Sequence, residues 1–216
     1  MQAAKVIWGL AVIAVVGGLG ACSGHDGEGA ADTTVAPSRT TMPPPSAELA
    51  SVLLTQRDLP AGLVDLGTNY SGVETCGMRS EVSDEYARSF PTAGGAFARE
   101  ENAIVPDVFE KIVAASAGAG AQVLKSARDH LAICNGEADG RSFLSSTPLI
   151  VPALGDESVA RRVTVKDLAT GKTVGIDVLY ARAGDTVVGV GAVEPEGRTD
   201  GLVSLATLAL RRAAAR

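Results

Sequence analysis

The 216-residue chain is poor in the side chains that most often carry chemistry: it has two histidines, three cysteines and one tryptophan, and 4% of it is aromatic. His25 and His130 are too isolated to form a metal site, and no Cys-x-x-Cys spacing offers a redox dithiol. Blocks of like charge are missing too. The 19 basic and 25 acidic residues are interspersed and leave a net charge of −6, so the chain has no basic footprint for nucleic acid. Its N-terminal apolar run, Val6 to Leu19, is about fourteen residues long and contains Gly9, Gly17 and Gly18. A spanning helix needs ~20 apolar residues to cross a ~30 Å hydrocarbon core.

Catalytic constellations fail in the same way. Serine hydrolysis needs a base beside the nucleophile; His130 lies in a helical stretch, and the chain has no nucleophile-elbow serine. Thr170-Gly171-Lys172-Thr173 imitates the end of a phosphate-binding loop. However, Lys166 stands where the first glycine belongs, and the segment falls in a hairpin turn. Gly118-x-Gly120 precedes a helix, but Val123 replaces the third glycine and no parallel strand–helix–strand unit follows. The pairs Glu100-Glu101 and Asp156-Glu157 point to opposite faces when extended, which does not suit shared acid–base work. The expectation is a protein without catalytic residues, cofactor or metal.

What is present begins at the N-terminus. Lys5 is the single charge before Cys22, and Leu19-Gly20-Ala21-Cys22 closes the apolar run. A positive residue, a short apolar core and a small-residue cleavage zone describe a secretory signal. The last four residues resemble the lipobox of bacterial lipoproteins. That resemblance implies cleavage before Cys22, diacylation of its thiol and acylation of the new amino group. Two or three acyl chains meet the need for more than one lipid in stable anchoring. An ordinary cleaved signal with Cys22 incidental, and an uncleaved anchor, are the alternatives. Ser23 to Ser46, ending in Pro43-Pro44-Pro45, buries too little to offset its ordering entropy and reads as a disordered tether. Its reach is roughly 25–30 Å. The expected organisation is a signal over 1–21, a lipidated cysteine and tether over 22–46, and one domain over 47–216.

Removing the signal takes Lys5 and Trp8 with it. The mature part then has 18 basic and 25 acidic residues, net −7, and no tryptophan for a sugar-stacking platform. Cys76 and Cys134 are left as an even pair in an exported, oxidising setting. A bridge between them closes a 58-residue loop, to which chain entropy assigns roughly 4 kcal/mol. A free or reactive pair is the alternative.

The remaining pattern is α+β. Ser46 caps a helix carrying Leu49, Leu53 and Leu54 that stops before Pro60. Ala61 to Gly77 is turn-rich and extended. Gly94–Glu100 and Val108–Ser116 read as strands. Ile104, Val108 and Ile112 also fit a helical period, but β-branched residues favour the strand, and Ser116 then caps a helix from Gly118 to Cys134. After a loop from Asn135 to Pro152, period two takes over in Glu157–Leu168, Lys172–Ala183 and Asp185–Glu194. Val159, Arg161, Val163 and Val165 share one face of this antiparallel meander, as do Val174, Ile176, Val178 and Tyr180. The closing helix has Thr199 or Asp200 as N-cap and Leu202, Leu205, Ala206 and Ala209 in an apolar stripe. Arg211 and Arg212 sit at its negative end. Phe97, Phe109 and Phe143 are expected in the core. The order α-β-β-α-β-β-β-α predicts an antiparallel sheet of about five strands with helices packed on one face.

One layout carries a resemblance. A helix ending in Arg57-Asp58-Leu59-Pro60-Ala61-Gly62-Leu63 is followed by Cys76 and by a strand and helix ending in Cys134. A loop then leads into Leu154-Gly155-Asp156-Glu157-Ser158, three strands and a closing helix. Together these resemble the extracellular sensor domain of mycobacterial-type receptor Ser/Thr kinases, which also occurs in free-standing actinobacterial lipoproteins. The resemblance implies binding of a small ligand in a cleft on the sheet. Family members with four cysteines have two disulfides, of which this chain matches one. With no kinase and no second membrane segment in these residues, the free-standing form is the expected one. Arg161, Tyr180 and Arg182, on neighbouring strands, are the candidate lining for an anionic or amphipathic ligand. The expected role is a lipid-anchored protein on the extracytoplasmic face of the cell membrane that binds or senses a small ligand. The alternative is a lipid-handling or protein-interaction module with an envelope protein as partner.

Overall fold

Alternation of apolar and polar residues sets the architecture, and pairing between the alternating segments extends it. The computed structural model of the chain describes residues 46–67, 89–100, 106–138, 142–193 and 199–216, all within the unit Thr40–Arg216. The signal, Cys22, most of the tether and Cys76 lie outside the described residues. In order, the elements are α1 (Ala47–Ala50), a 3-10 turn (Gln56–Asp58), β1 (Val64–Gly67), β2 (Thr92–Ala98), β3 (Val108–Ala114) and α2 (Gly120–Ala132). Then follow β4 (Gly136–Ala138), β5 (Ser142–Pro148), β6 (Glu157–Asp167), β7 (Thr173–Ala183), β8 (Thr186–Val193) and α3 (Asp200–Ala214).

The strands form one eight-stranded sheet in the order β1-β2-β3-β8-β7-β6-β5-β4, and all neighbouring pairs are antiparallel. The α+β class and the antiparallel sheet agree with the sequence; the count of about five strands does not. The three unforeseen strands lie towards the margins of the sheet. β1 and β4 are edge strands of four and three residues, too short to show a period. β5, Ser-Phe-Leu-Ser-Ser-Thr-Pro, is held in place by its pairing with β6, a non-local cause. Val108–Ala114 is a strand, as its β-branched residues suggested, because β2 and β8 flank it on both sides.

Helices cover both faces of the sheet, not one. On the first face, Phe97, Val108, Ile112, Leu179, Val188 and Val190 pack with Leu49, Leu53 and Leu54 and with Leu202, Ala206 and Ala209 of α3. On the second, Ala96, Phe109, Val163, Ile176 and Val178 pack with Leu131 and Cys134, and Val113 and Val187 with Val123 and Leu124 of α2. A strand covered on both sides reads as a continuous apolar run. β8, Thr-Val-Val-Gly-Val-Gly-Ala-Val, is such a run, with its six inner residues buried.

Two further expectations need correction. The helix expected from Ser46 to Pro60 is one turn of α-helix and a separate 3-10 turn. Ser46 does cap α1, accepting the Leu49 N–H at 3.4 Å. Beyond it, the Asp58 carboxylate takes the Thr55 N–H at 2.7 Å and folds the chain back. Phe143 is not core but 44% exposed. It sits on β5 opposite Lys166, outside the part of the sheet that α3 covers, which is β7 and β8.

Candidate functional site

The sheet register brings the three sequence-predicted residues onto one face. Tyr180 lies opposite Val159, Arg182 opposite Glu157, and Arg161 opposite Val178. Arg161 is thus four residues along β6 from the partner of Arg182, about 13 Å away, with Tyr180 between them. This is the face that α2 covers, lying across β5 to β8. Each side chain already has an occupation there. Arg161 donates from Nε to Ser146 Oγ at 2.7 Å and from its terminal nitrogen to Ser146 O at 2.9 Å. Tyr180 lies over Gly189, where a Cβ would come within 2.4 Å of the ring, and burial pushes its phenol pKa up. Arg182 donates to Asp156 Oδ2 at 3.2 Å and to Gly184 O at 2.9 Å. Its Nε is buried without a hydrogen-bond partner among the described residues.

The Gly118-x-Gly120 motif opens α2, and a carboxylate stands where a phosphate would be bound. The N–H groups of Gly118 and Gly120 donate to Asp185 Oδ1 at 3.0 and 3.1 Å. These two bonds, that of Gly120 first, hold the Asp185 carboxyl below its ordinary pKa of 3.8. Ala119, not Ser116, is the N-cap residue, and no side chain of its own caps the helix. A Cβ on Gly120 would stand 2.7 Å from Asp185 Cα and 2.8 Å from Gly184 O, so the glycine is required for the close approach of the β7–β8 turn. Thr170 to Thr173 is the β6–β7 hairpin turn, with Asp167 Oδ1 accepting the Thr170 N–H at 2.7 Å and Gly171 at φ +70°. His130 Nδ1 is 2.9 Å from Ser126 O on its own helix.

Among the described residues, two open concavities lie elsewhere, at the C-terminal end of α3. One, of about 490 Å³, is lined by Glu48, Ala183, Gly184, Thr186, Ala213, Ala214 and Arg216. The other, of about 550 Å³, is lined by Ser51, Val52, Leu53, Thr55, Arg212, Ala215 and Arg216. Arg216 lines both, donating to Ala213 O at 3.0 Å and Thr186 Oγ1 at 3.3 Å, with Glu48 at 3.7 Å. Arg212 does more than face the helix dipole. It grips Asp58 with two bonds of 2.6 and 2.7 Å and reaches Leu53 O at 3.2 Å. The Arg212 guanidinium holds the Asp58 carboxyl down to about 2.

Next to this clasp lies a carboxyl that the sequence did not single out. Glu110, in the middle of β3, is wholly buried. Its Oε2 accepts the Leu54 N–H at 2.6 Å, and its Oε1 has no hydrogen-bond partner among the described residues. Burial raises its pKa to about 7. The one available signal was a pair of adjacent charged residues, Glu110 and Lys111, inside an otherwise apolar strand.

Among the described residues, no group of three or more potential ligands could hold a metal ion, and no helix is long and apolar enough to cross a membrane. No protein-family model matches the chain, and no curated protein sequence matches it. The fold is similar to that of the extracellular domain of PknH from Mycobacterium tuberculosis. The TM-score is 0.52 at 12% sequence identity, over 82% of this chain and 100% of that one. At that identity, what the two chains share is the fold.

Proposed function

We propose that the chain is a membrane-anchored lipoprotein on the extracytoplasmic side of the cell membrane, whose domain binds or senses a small ligand of the cell envelope without catalysing a reaction. The observation that carries this reading is the likeness of the fold to an extracellular domain. The secretory signal and Leu19-Gly20-Ala21-Cys22 point the same way, as do the motifs at Arg57–Leu63 and Leu154–Ser158. Replacing Cys22 with Ser releases the protein from membranes on this reading; continued retention in the membrane fraction would overturn the anchor.

The clefts that Arg216 lines are the better seat for a ligand, because they are open while Arg161, Tyr180 and Arg182 lie on the face beneath α2. Arginine at the wall suits an anionic or amphipathic molecule. Native mass spectrometry of the domain purified from its natural host is expected to show a bound mass that Arg216→Ala loses and Arg182→Ala keeps. The reverse pattern places the ligand under α2, and protein free of ligand throughout counts against the binding role. A protein-interaction role is the second reading. Its support is Ile150, 99% exposed in a loop between Pro148 and Pro152.

We also assign Cys76 and Cys134 to one bridge. The support is an exported context and a Cys134 side chain 3% exposed at the end of α2. The intact mass is then two hydrogens below that of the reduced protein; equal masses would rule the bridge out.

A further inference from the structure

We propose that Glu110 makes the segment from Ser46 to Leu63 a proton-operated latch on the first face of the sheet, tightened by acid and loosened towards neutral pH. This rests on the fold alone and depends neither on lipidation nor on a small ligand.

Besides the bond from the Ser46 N–H to Thr92 O at 2.8 Å and the Arg216–Glu48 pair, two polar clasps of opposite character hold the segment down. One is the Arg212–Asp58 pair, whose carboxyl stays ionised down to about 2 and which therefore does not change in the neutral range. The other is the bond from the Leu54 N–H to Glu110 Oε2. The surroundings of Glu110 decide how that bond responds to protons. Across the sheet it faces Gly95 on β2 and Val190 on β8, neither of which offers charge. From the 3-10 turn comes Asp58 and from α3 comes Arg212, and these two act on Glu110 in opposite directions while bonded to each other. The next residue on its own strand, Lys111, points to the other face. A carboxylate here would bury its Oε1 with no donor and no cation of its own among the described residues. A neutral acid places its proton on that oxygen and still accepts from Leu54.

The sign follows from linkage. With the segment docked, Glu110 titrates at about 7; with the segment released and the carboxyl hydrated, it returns to the ordinary 4.5. Below 4.5 both states hold the proton and docking is at its strongest. Between 4.5 and 7 only the docked state holds it, so docking weakens by up to tenfold per pH unit. Above 7 both are ionised, and the loss is complete. Ser46, where the segment begins, is the last residue of the expected tether, so a change in docking occurs at the junction between anchor and domain.

The test is hydrogen exchange on the mature domain with its cysteines as they exist, read as protection factors corrected for the intrinsic pH dependence of exchange. In the wild type, protection of the Leu54 amide is expected to fall by about tenfold per pH unit from pH 5 to 7 and then level off, and to stay below that of the central amides of β8 at every pH, because release of the segment is a local opening. Glu110→Gln keeps an acceptor for Leu54 and is expected to give a flat profile; Asp58→Asn is expected to keep the slope. A flat wild-type profile, or the same slope in Glu110→Gln, would overturn the proposal. Should Glu110→Gln fail to fold, carboxyl carbon NMR on the wild type decides instead: a Glu110 resonance titrating near 7 supports the latch, and one titrating near 4.5 rejects it.

Discussion

Gly191 and Gly189 on β8 leave room for rings from the neighbouring strands. A Cβ on Gly191 would come within 2.0 Å of the Phe109 ring, as one on Gly189 would approach Tyr180. The two aromatics thus lie flat across a strand whose glycines are part of the packing and not a weakness. Gly191→Ala is expected to destabilise the domain by about 1–3 kcal/mol through overpacking, measured by denaturant unfolding. In a Phe109→Leu background the added penalty should largely disappear, and an unchanged penalty would show that the ring is not the obstacle. On the opposite face, Arg162 binds the wholly buried Asp177 through two bonds of 2.6 and 2.7 Å. Removing one partner strands the other charge in the interior. Arg162→Ala is therefore expected to cost about 3–5 kcal/mol, and a loss below 1 kcal/mol in the same assay would contradict the pairing.

At the level of elements, α2 is started by a residue far along the chain. Asp185, on the β7–β8 turn, caps the N–H groups of Gly118 and Gly120, favoured further by the positive end of the helix dipole. Because these bonds hold the Asp185 carboxyl below its ordinary value, its support for the helix is complete above pH 3.8 and is lost as the carboxyl protonates below it. Asp185→Ala is expected to speed amide exchange in the first turn of α2 several-fold while leaving the last turn unchanged. Uniform protection along α2 in the variant would mean the cap is idle. The same helix lies over β5 to β8, so it both shields Arg161 and Tyr180 and displaces the groove that a one-sided sheet would have offered.

For the molecule as a whole, two carboxyls shape stability against pH in opposite senses. Asp58, held to about 2 by Arg212, adds stability that is complete above 3.8 and is lost as the pH falls through 2. Glu110, raised from 4.5 to about 7, adds stability that is complete below 4.5 and is lost as the pH rises to 7. Thermal unfolding is expected to show its highest midpoint between about pH 4 and 5, with a decline towards neutrality. At about 1.4 kcal/mol per pH unit, the Glu110 contribution amounts to about 3 kcal/mol. Glu110→Gln should recover much of that at pH 8, and a wild-type midpoint level from pH 4.5 to 8 would contradict the assignment.

Local pattern alone placed the three long strands β6 to β8, the strands β2 and β3, and the helices α2 and α3. In each, a period of two or 3.6 residues is written in consecutive side chains, and the burial of Val163, Ile176, Leu202 and Ala206 follows from it. The pattern also put Tyr180 and Arg182 on one face of their strand, since alternation along a strand needs no knowledge of partners, whereas the register decided that Arg161 joins them. Tertiary structure decided the rest, because the causes lie in distant residues. β5 is a strand because β6 pairs with it, and α2 is capped by Asp185, 65 residues further along the chain than Gly120. The side of the sheet on which each helix lands does not follow from amphipathicity, since α2 and α3 are both amphipathic. Arg212 looked like a dipole partner and became the clasp for Asp58. Glu110 looked like one of two neighbouring charges in a strand. It became a buried acid only when α1, the 3-10 turn and α3 closed over β3 and removed the water that keeps a carboxyl ionised.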